Sequence, residues 1–198
     1  MTLILDEVKE GGNKVDWGRV EDGTYPARVA QVVDFGVQPQ TDYETGAEAE
    51  SKPVVYITWE FPTSRIDLEN DEGTISLPRW QGKEYKVSKH EKSNLMKLVG
   101  ALKPKLRSLD EFCNLPSMVQ IGTTSGGNAK IAAVLPPMSG MEVPPLESDA
   151  VFFDFDHPTQ ETFEALKLWQ QRKVREAENY TGFADTWGEG AEQDGGDY

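Results

Sequence analysis

Residues 23–38, "GTYPARVAQVVDFGVQ", alternate between two sides. Tyr25, Ala27, Val29, Val33, Phe35 and Val37 fall on one, and Arg28, Ala30, Val32 and Asp34 on the other. A period of two is the mark of a half-buried β-strand. Gly36, late in the run, predicts a bulge or a sharp bend. A strand this long and bent near a glycine suits a small closed barrel, because one strand must pair with both halves for the sheet to close.

The flanking sequence supplies the remaining elements. A polar, acidic stretch, "PQTDYETGAEAESKP" (39–53), leads to "VVYITWEF" (54–61), dense in β-branched and aromatic residues and read as a second strand. There Val55, Ile57, Trp59 and Phe61 share a face and predict core, with Tyr56 opposite them. After the acidic "IDLENDEG" (66–73), "TISLPRWQGKEYKV" (74–87) reads as a third strand, or as two short ones around Gly82. The period then changes: Leu95, Leu98, Val99 and Leu102 recur at helical spacing, and Ser88 with Glu91 three later predicts a capping box. Ser108 and Glu111 repeat that pattern ahead of a short helical turn. "MVQIGTTSGGNAKIAAVLPP" (118–137) is two strands joined by a tight turn at "SGGN" and stopped by proline.

Three strands, a helix and two strands is the connectivity of the OB-fold, a five-stranded Greek-key barrel with its helix between strands 3 and 4. The competing architecture is an unrelated five-stranded sandwich. The expected layout is an N-terminal arm (1–22), a mainly β OB-fold core (23–137), then a proline-rich connector and a C-terminal helix packed on the core (138–183). Phe163, Leu166 and Trp169 are that helix's expected docking face. The end of the chain, 184–198, carries five carboxylates, four glycines and no Lys or Arg. It cannot bury enough apolar surface to offset its ordering entropy, so it is expected to be a disordered acidic tail.

A formal net charge of −14 taken alone argues against nucleic acid. The charge is uneven, however. From Arg79 to Arg107 there are nine basic residues against Glu84 and Glu91, a local +7 that leaves −21 elsewhere. The cluster opens with aromatics set among cations in "RWQGKEYK" (79–86). Trp80 and Tyr85 offer faces on which any base can stack, while Arg79, Lys83, Lys86, Lys89 and Lys92 can follow phosphates. Each aromatic has core packing as its alternative role. Tyr56 is a further stacking candidate, and Arg28 and Lys130 are candidate outward cations of the first and fifth strands. Stacking with backbone neutralisation fits single strands of any sequence.

The one cysteine, Cys113, cannot form an internal disulfide, and with His90 and His157 it gives no structural zinc spacing. A reducing cytoplasm is expected. Neither a signal peptide nor an apolar run of roughly 20 residues is found, so no membrane partner is expected.

"DGTYPARVAQVVDFG", "VYITWEF", "KEYKVSKHEKSNLMKLVGAL", "SLDEF", "NAKIAAVLPP", "FFDFDHP" and "QQRKVREAENYTG" together resemble the OB-fold single-stranded DNA-binding proteins of tailed bacteriophages, over most of residues 20–184. The resemblance implies a non-catalytic protein that coats displaced strands in replication or recombination, in the cytoplasm of the infected bacterial host and as monomer or dimer. It also implies an acidic tail that touches the phage DNA polymerase, primase-helicase or nuclease, here Asp185, Trp187, Glu189, Glu192, Asp194, Asp197 and the terminal Tyr198. The acidic insert at Asp42 to Glu50 departs from the family, and stacking alone leaves RNA open as a ligand.

Catalytic signatures are missing: no phosphate-binding glycine loop, H-E-x-x-H, C-x-x-C or nucleophile elbow. Asp154 and Asp156 beside His157 are read as caps of a helix starting near Pro158, with a metal site as the alternative. No cofactor is expected. The rival to strand binding is an acidic interaction protein that mimics nucleic acid.

Overall fold

The computed structural model describes residues 20–42, 45–70 and 73–187. The tail from 188 onward and the arm to 19 lie outside them. Within them the chain is mainly β: β1 (Gly23–Thr41), β2 (Glu48–Asn70), β3 (Gly73–Lys86), α1 (Asn94–Leu102), β4 (Pro116–Thr123), β5 (Ala129–Leu135), β6 (Val151–Phe153), α2 (Gln160–Glu164) and α3 (Leu168–Arg175). Short 3-10 turns occupy Leu109–Phe112 and Phe183–Asp185. No described helix is long and apolar enough to cross a membrane.

The strands form one sheet in the order β3-β2-β1-β4-β5, each neighbouring pair antiparallel. The nineteen-residue β1 organises it. One edge pairs with β2 from Arg28 to Thr41. The other pairs with β4 from Gly23 to Arg28, then in parallel with β6 from Gln31 to Val33. The bend expected at Gly36 is present: the β1–β2 register shifts between Asp34 and Val37. Gly36 has φ +69° and donates its N–H to Asp34 Oδ1 at 2.9 Å. A side chain there would meet the Phe155 ring at 2.7 Å, so only glycine fits both the backbone and the packing.

β1 differs from the expected half-buried strand because both its faces are covered. Ala27, Val29 and Val32 join Val55, Ile57, Trp59 and Phe61 in one core with α1. Val33 and Phe35 join Val54 in a second core roofed by Phe153, Phe155, Phe163, Leu166 and Val174. Trp59 and Phe61 are fully buried, as the alternation in β2 requires. The third strand is continuous through Gly82, and Ile66–Asn70 extend β2 rather than forming a loop.

Caps differ too. α1 starts at Asn94, and the cap is Ser93, whose Oγ accepts the Met96 N–H at 3.2 Å. Ser88 instead receives the Ser93 hydroxyl at its carbonyl. Ser108 makes no side-chain cap bond. The expected single C-terminal helix is broken in two between Glu164 and Leu168, and Thr159 caps the first piece. Asp154 is therefore not a helix cap: it accepts from Asp156 N–H and pairs with His157.

Burial pushes the Asp34 carboxyl above its usual value; the Gly36 N–H opposes this, and Asp156 and Asp154 add to the rise. A folded-state pKa above the unfolded one means the charge opposes folding at neutral pH, and the wild type gains stability as that charge is titrated away. Asp34→Asn keeps an acceptor for Gly36 and removes the charge. Melting curves should show the variant more stable than wild type at neutral pH. The gain should shrink as pH falls through the raised pKa and vanish below the ordinary value of 3.8.

Candidate nucleic-acid interface

Strand alternation divides the "RWQGKEYK" cluster between two faces. In the β2–β3 register Tyr85 lies opposite Val55, Lys83 opposite Ile57 and Arg79 opposite Phe61, on the side of the first core. Trp80 lies opposite Glu60 and Gly82 opposite Thr58, on the side of Tyr56. Tyr85 is 4% exposed and tilted against Trp59 with ring centroids 6.5 Å apart. Burial pushes its phenol far above the ordinary range. Tyr85 is thus a core residue and not a stacking platform.

Arg28 is also placed differently from the expected groove cation. Its Nε donates to the Pro144 carbonyl at 2.8 Å, Nη2 to Val143 at 3.0 Å, and Nη1 to the Asn114 carbonyl at 2.9 Å and side-chain oxygen at 3.3 Å. Beside it across the β1–β2 register, the fully buried Glu60 accepts the Glu147 N–H and the Ser148 hydroxyl, both at 2.7 Å. Together these charges fasten the connector to the sheet.

The Trp80 side carries an aromatic cradle. Tyr56 lies across Gly82, where any Cβ would overlap its ring. Trp169 stands edge-on to Tyr56 at 5.1 Å and to Phe35 at 6.0 Å, yet stays 42% exposed. Lys167 Nζ sits 5.5 Å from the centre of the Trp80 ring, in cation–π range. Between them is a depression of about 170 Å³, floored by Gln31, Thr58 and Gln170. The sequence placed Trp169 in a docking face with Phe163 and Leu166. The break before Leu168 starts a new helix and turns the indole outward onto Tyr56. Lys167 and Trp169, a cation and an aromatic two residues apart, were the available signal.

The second feature is the seam between β3 and β5, the two ends of the strand order. Lys83 Nζ crosses it to donate to the Ile131 carbonyl at 3.2 Å and lies 5.6 Å from the centre of the Tyr85 ring. Burial lowers the Lys83 pKa, and the neighbouring Lys130 charge lowers it further. A depression of about 300 Å³ opens here, lined by Lys83 and Ile131–Val134 and by Asn94, Lys97 and Leu98 of α1. Lys86, Lys89 and Lys92 are exposed between the end of β3 and α1, and Lys130 is exposed on β5. Arg79 is held elsewhere, its Nε donating to the Arg65 carbonyl at 3.0 Å.

Of the expected tail, Ala184 to Trp187 belong to the folded body. Trp187 packs 5.5 Å from both Phe163 and Phe183, and Asp185 lies 3.6 Å from Arg175 Nε. Glu189, Glu192, Asp194, Asp197 and Tyr198 are outside the described residues.

No protein-family model, curated protein or solved structure matches the chain.

The two aromatics of the cluster should separate in thermal or denaturant unfolding. Tyr85→Ala empties a core site and should cost about 3–5 kcal/mol, the range for large aromatic truncations. Trp80→Ala should cost near the ordinary ~1 kcal/mol of point substitutions and leave the protein folded at room temperature.

Proposed function

We propose that the chain is a non-catalytic, single-stranded DNA-binding protein built on an OB-type barrel. The fold reading is supported by the strand order β3-β2-β1-β4-β5, with α1 contacting both β3 and β5 where the barrel would close. The function reading rests on one observation: Trp80, Tyr56 and Trp169 converge with Lys167 on the outward side of β3. The lysines of the adjoining seam support it. A half-buried indole under a cation, beside the exposed indole of Trp169, offers base stacking worth about 1–3 kcal/mol per base, and the lysines offer phosphate neutralisation. Nothing in such a surface transforms its ligand; it coats and protects displaced strands. In this reading the acidic end of the chain recruits the replication or recombination machinery of a bacteriophage inside the infected cell.

Labelled oligo-dT should shift in mobility with the full chain. If Lys83, Lys86, Lys89, Lys92 and Lys130 neutralise about five phosphates, log affinity should fall against log salt with a slope near −3.5, roughly a hundredfold loss between 50 and 200 mM. Trp80→Ala should weaken binding by about 1–3 kcal/mol. An absence of binding at low salt, or a flat salt response, would instead favour an acidic protein that occupies another protein's nucleic-acid site.

A further inference from the structure

The floor of the aromatic cradle is polar and its hydrogen bonds are directional. Gln31 is 4% and Gln170 1% exposed, and both line the depression. The Lys167 backbone N–H, which can only donate, gives its hydrogen bond to Gln170 Oε1 at 3.0 Å. That fixes the Gln170 amide, which turns Nε2 to Gln31 and donates to its Oε1 at 2.7 Å. Gln31 is left presenting Nε2, and that amide group donates to no acceptor among the described residues. The donor faces the depression, and a ligand acceptor placed against it makes a directed hydrogen bond there in place of water.

We propose that this depression is a pocket for one keto pyrimidine base, thymine or uracil, read by the Gln31 amide. The proposal rests on the single-strand reading above and adds selectivity at one position of an otherwise sequence-tolerant surface. Its volume of about 170 Å³ is below the roughly 300 Å³ at which pockets for drug-sized ligands begin. It suits one small ring, and the walls of Tyr56, Trp80 and Trp169 suit a flat one. A base enters with the edge remote from its sugar. On that edge thymine and uracil carry the O4 acceptor, whereas cytosine carries the N4 amino donor. The acceptor meets Gln31 Nε2; the amino group would set N–H against N–H. Thr58, also on the floor, has a hydroxyl able to take either role, so the amide decides.

Oligo-dU and oligo-dC are nearly isosteric at this edge, and their binding to the full chain can be compared at one salt concentration by fluorescence anisotropy. Oligo-dU should bind about three- to tenfold tighter, the worth of one net hydrogen bond. Gln31→Glu keeps an oxygen for Gln170 and exchanges the donor for an acceptor, so it should erase or invert the preference. Equal binding of both strands to the wild type overturns the base pocket and leaves the single-strand reading standing. Binding of neither overturns both. Should Gln31→Glu fail to fold, a strand of pyrimidin-2-one bases, which lack O4 and the N3 proton, tests the loss of the acceptor edge on the wild type. Loss of affinity to the oligo-dC level supports the pocket, and unchanged affinity overturns it.

Discussion

The hydrogen-bonding capacity of β1 governs the arrangement of the molecule. A strand has two edges, and β1 satisfies them with three partners: β2 on one side, then β4 and β6 in succession on the other. Because β6 takes over where β4 leaves off, the chain after β5 is drawn back across the sheet. The second core is then assembled on the face of β1 and β2 opposite the first. This layer carries α3, and α3 brings Lys167, Trp169 and Gln170 to the outward side of β3. The cradle therefore depends on a parallel pairing of three residues, one of which, Gln31, also lies on its floor.

Two charged side chains, the buried Glu60 and the half-buried Arg28, hold the connector that makes this return. Arg28 and Glu60 are register neighbours, yet each also bonds the passing connector, Arg28 through backbone carbonyls and Glu60 through a backbone N–H and the Ser148 hydroxyl. Truncating either side chain would strip its connector partners of that hydrogen bond, a loss that grows with how far each group is buried. Arg65 adds an outer clasp on Glu147. These cations contribute to fixing the fold, so in the proposed reading phosphate contact would fall to the lysines at the seam and beyond it.

Local pattern made much of this legible. The period-two runs gave β1 and β2, the position of Gly36 gave the bend, and the placement of Trp59 and Phe61 on the Val55 face gave the core. The same alternation puts Trp80 and Tyr85, five residues apart in one strand, on opposite faces, so their proximity in sequence does not make one stacking surface. Ser88 satisfies a capping-box pattern, but Ser93 stands two residues before the first buried helical residue, Leu95, and cap geometry follows where the apolar face begins. The parallel β6 pairing and the hydrogen-bond relay from Lys167 through Gln170 to Gln31 join residues too far apart in sequence for any local signal.

The split of the cluster also bears on which ligand could use it. Trp80 and Lys83 are three residues apart on β3, about 10 Å along a strand, but they point to opposite sides of the sheet. Reaching both means crossing the edge of β3 that faces β5, where Lys83 bridges by its side chain. A duplex is too stiff to fold over one strand edge, since its persistence length is near 150 base pairs. A single strand rotates about each backbone bond and can leave a base in the cradle while its phosphates turn into the seam. The lowered pKa of Lys83 fits this path: in the proposed reading, a phosphate in the seam beside it would favour the charged form that burial and Lys130 disfavour.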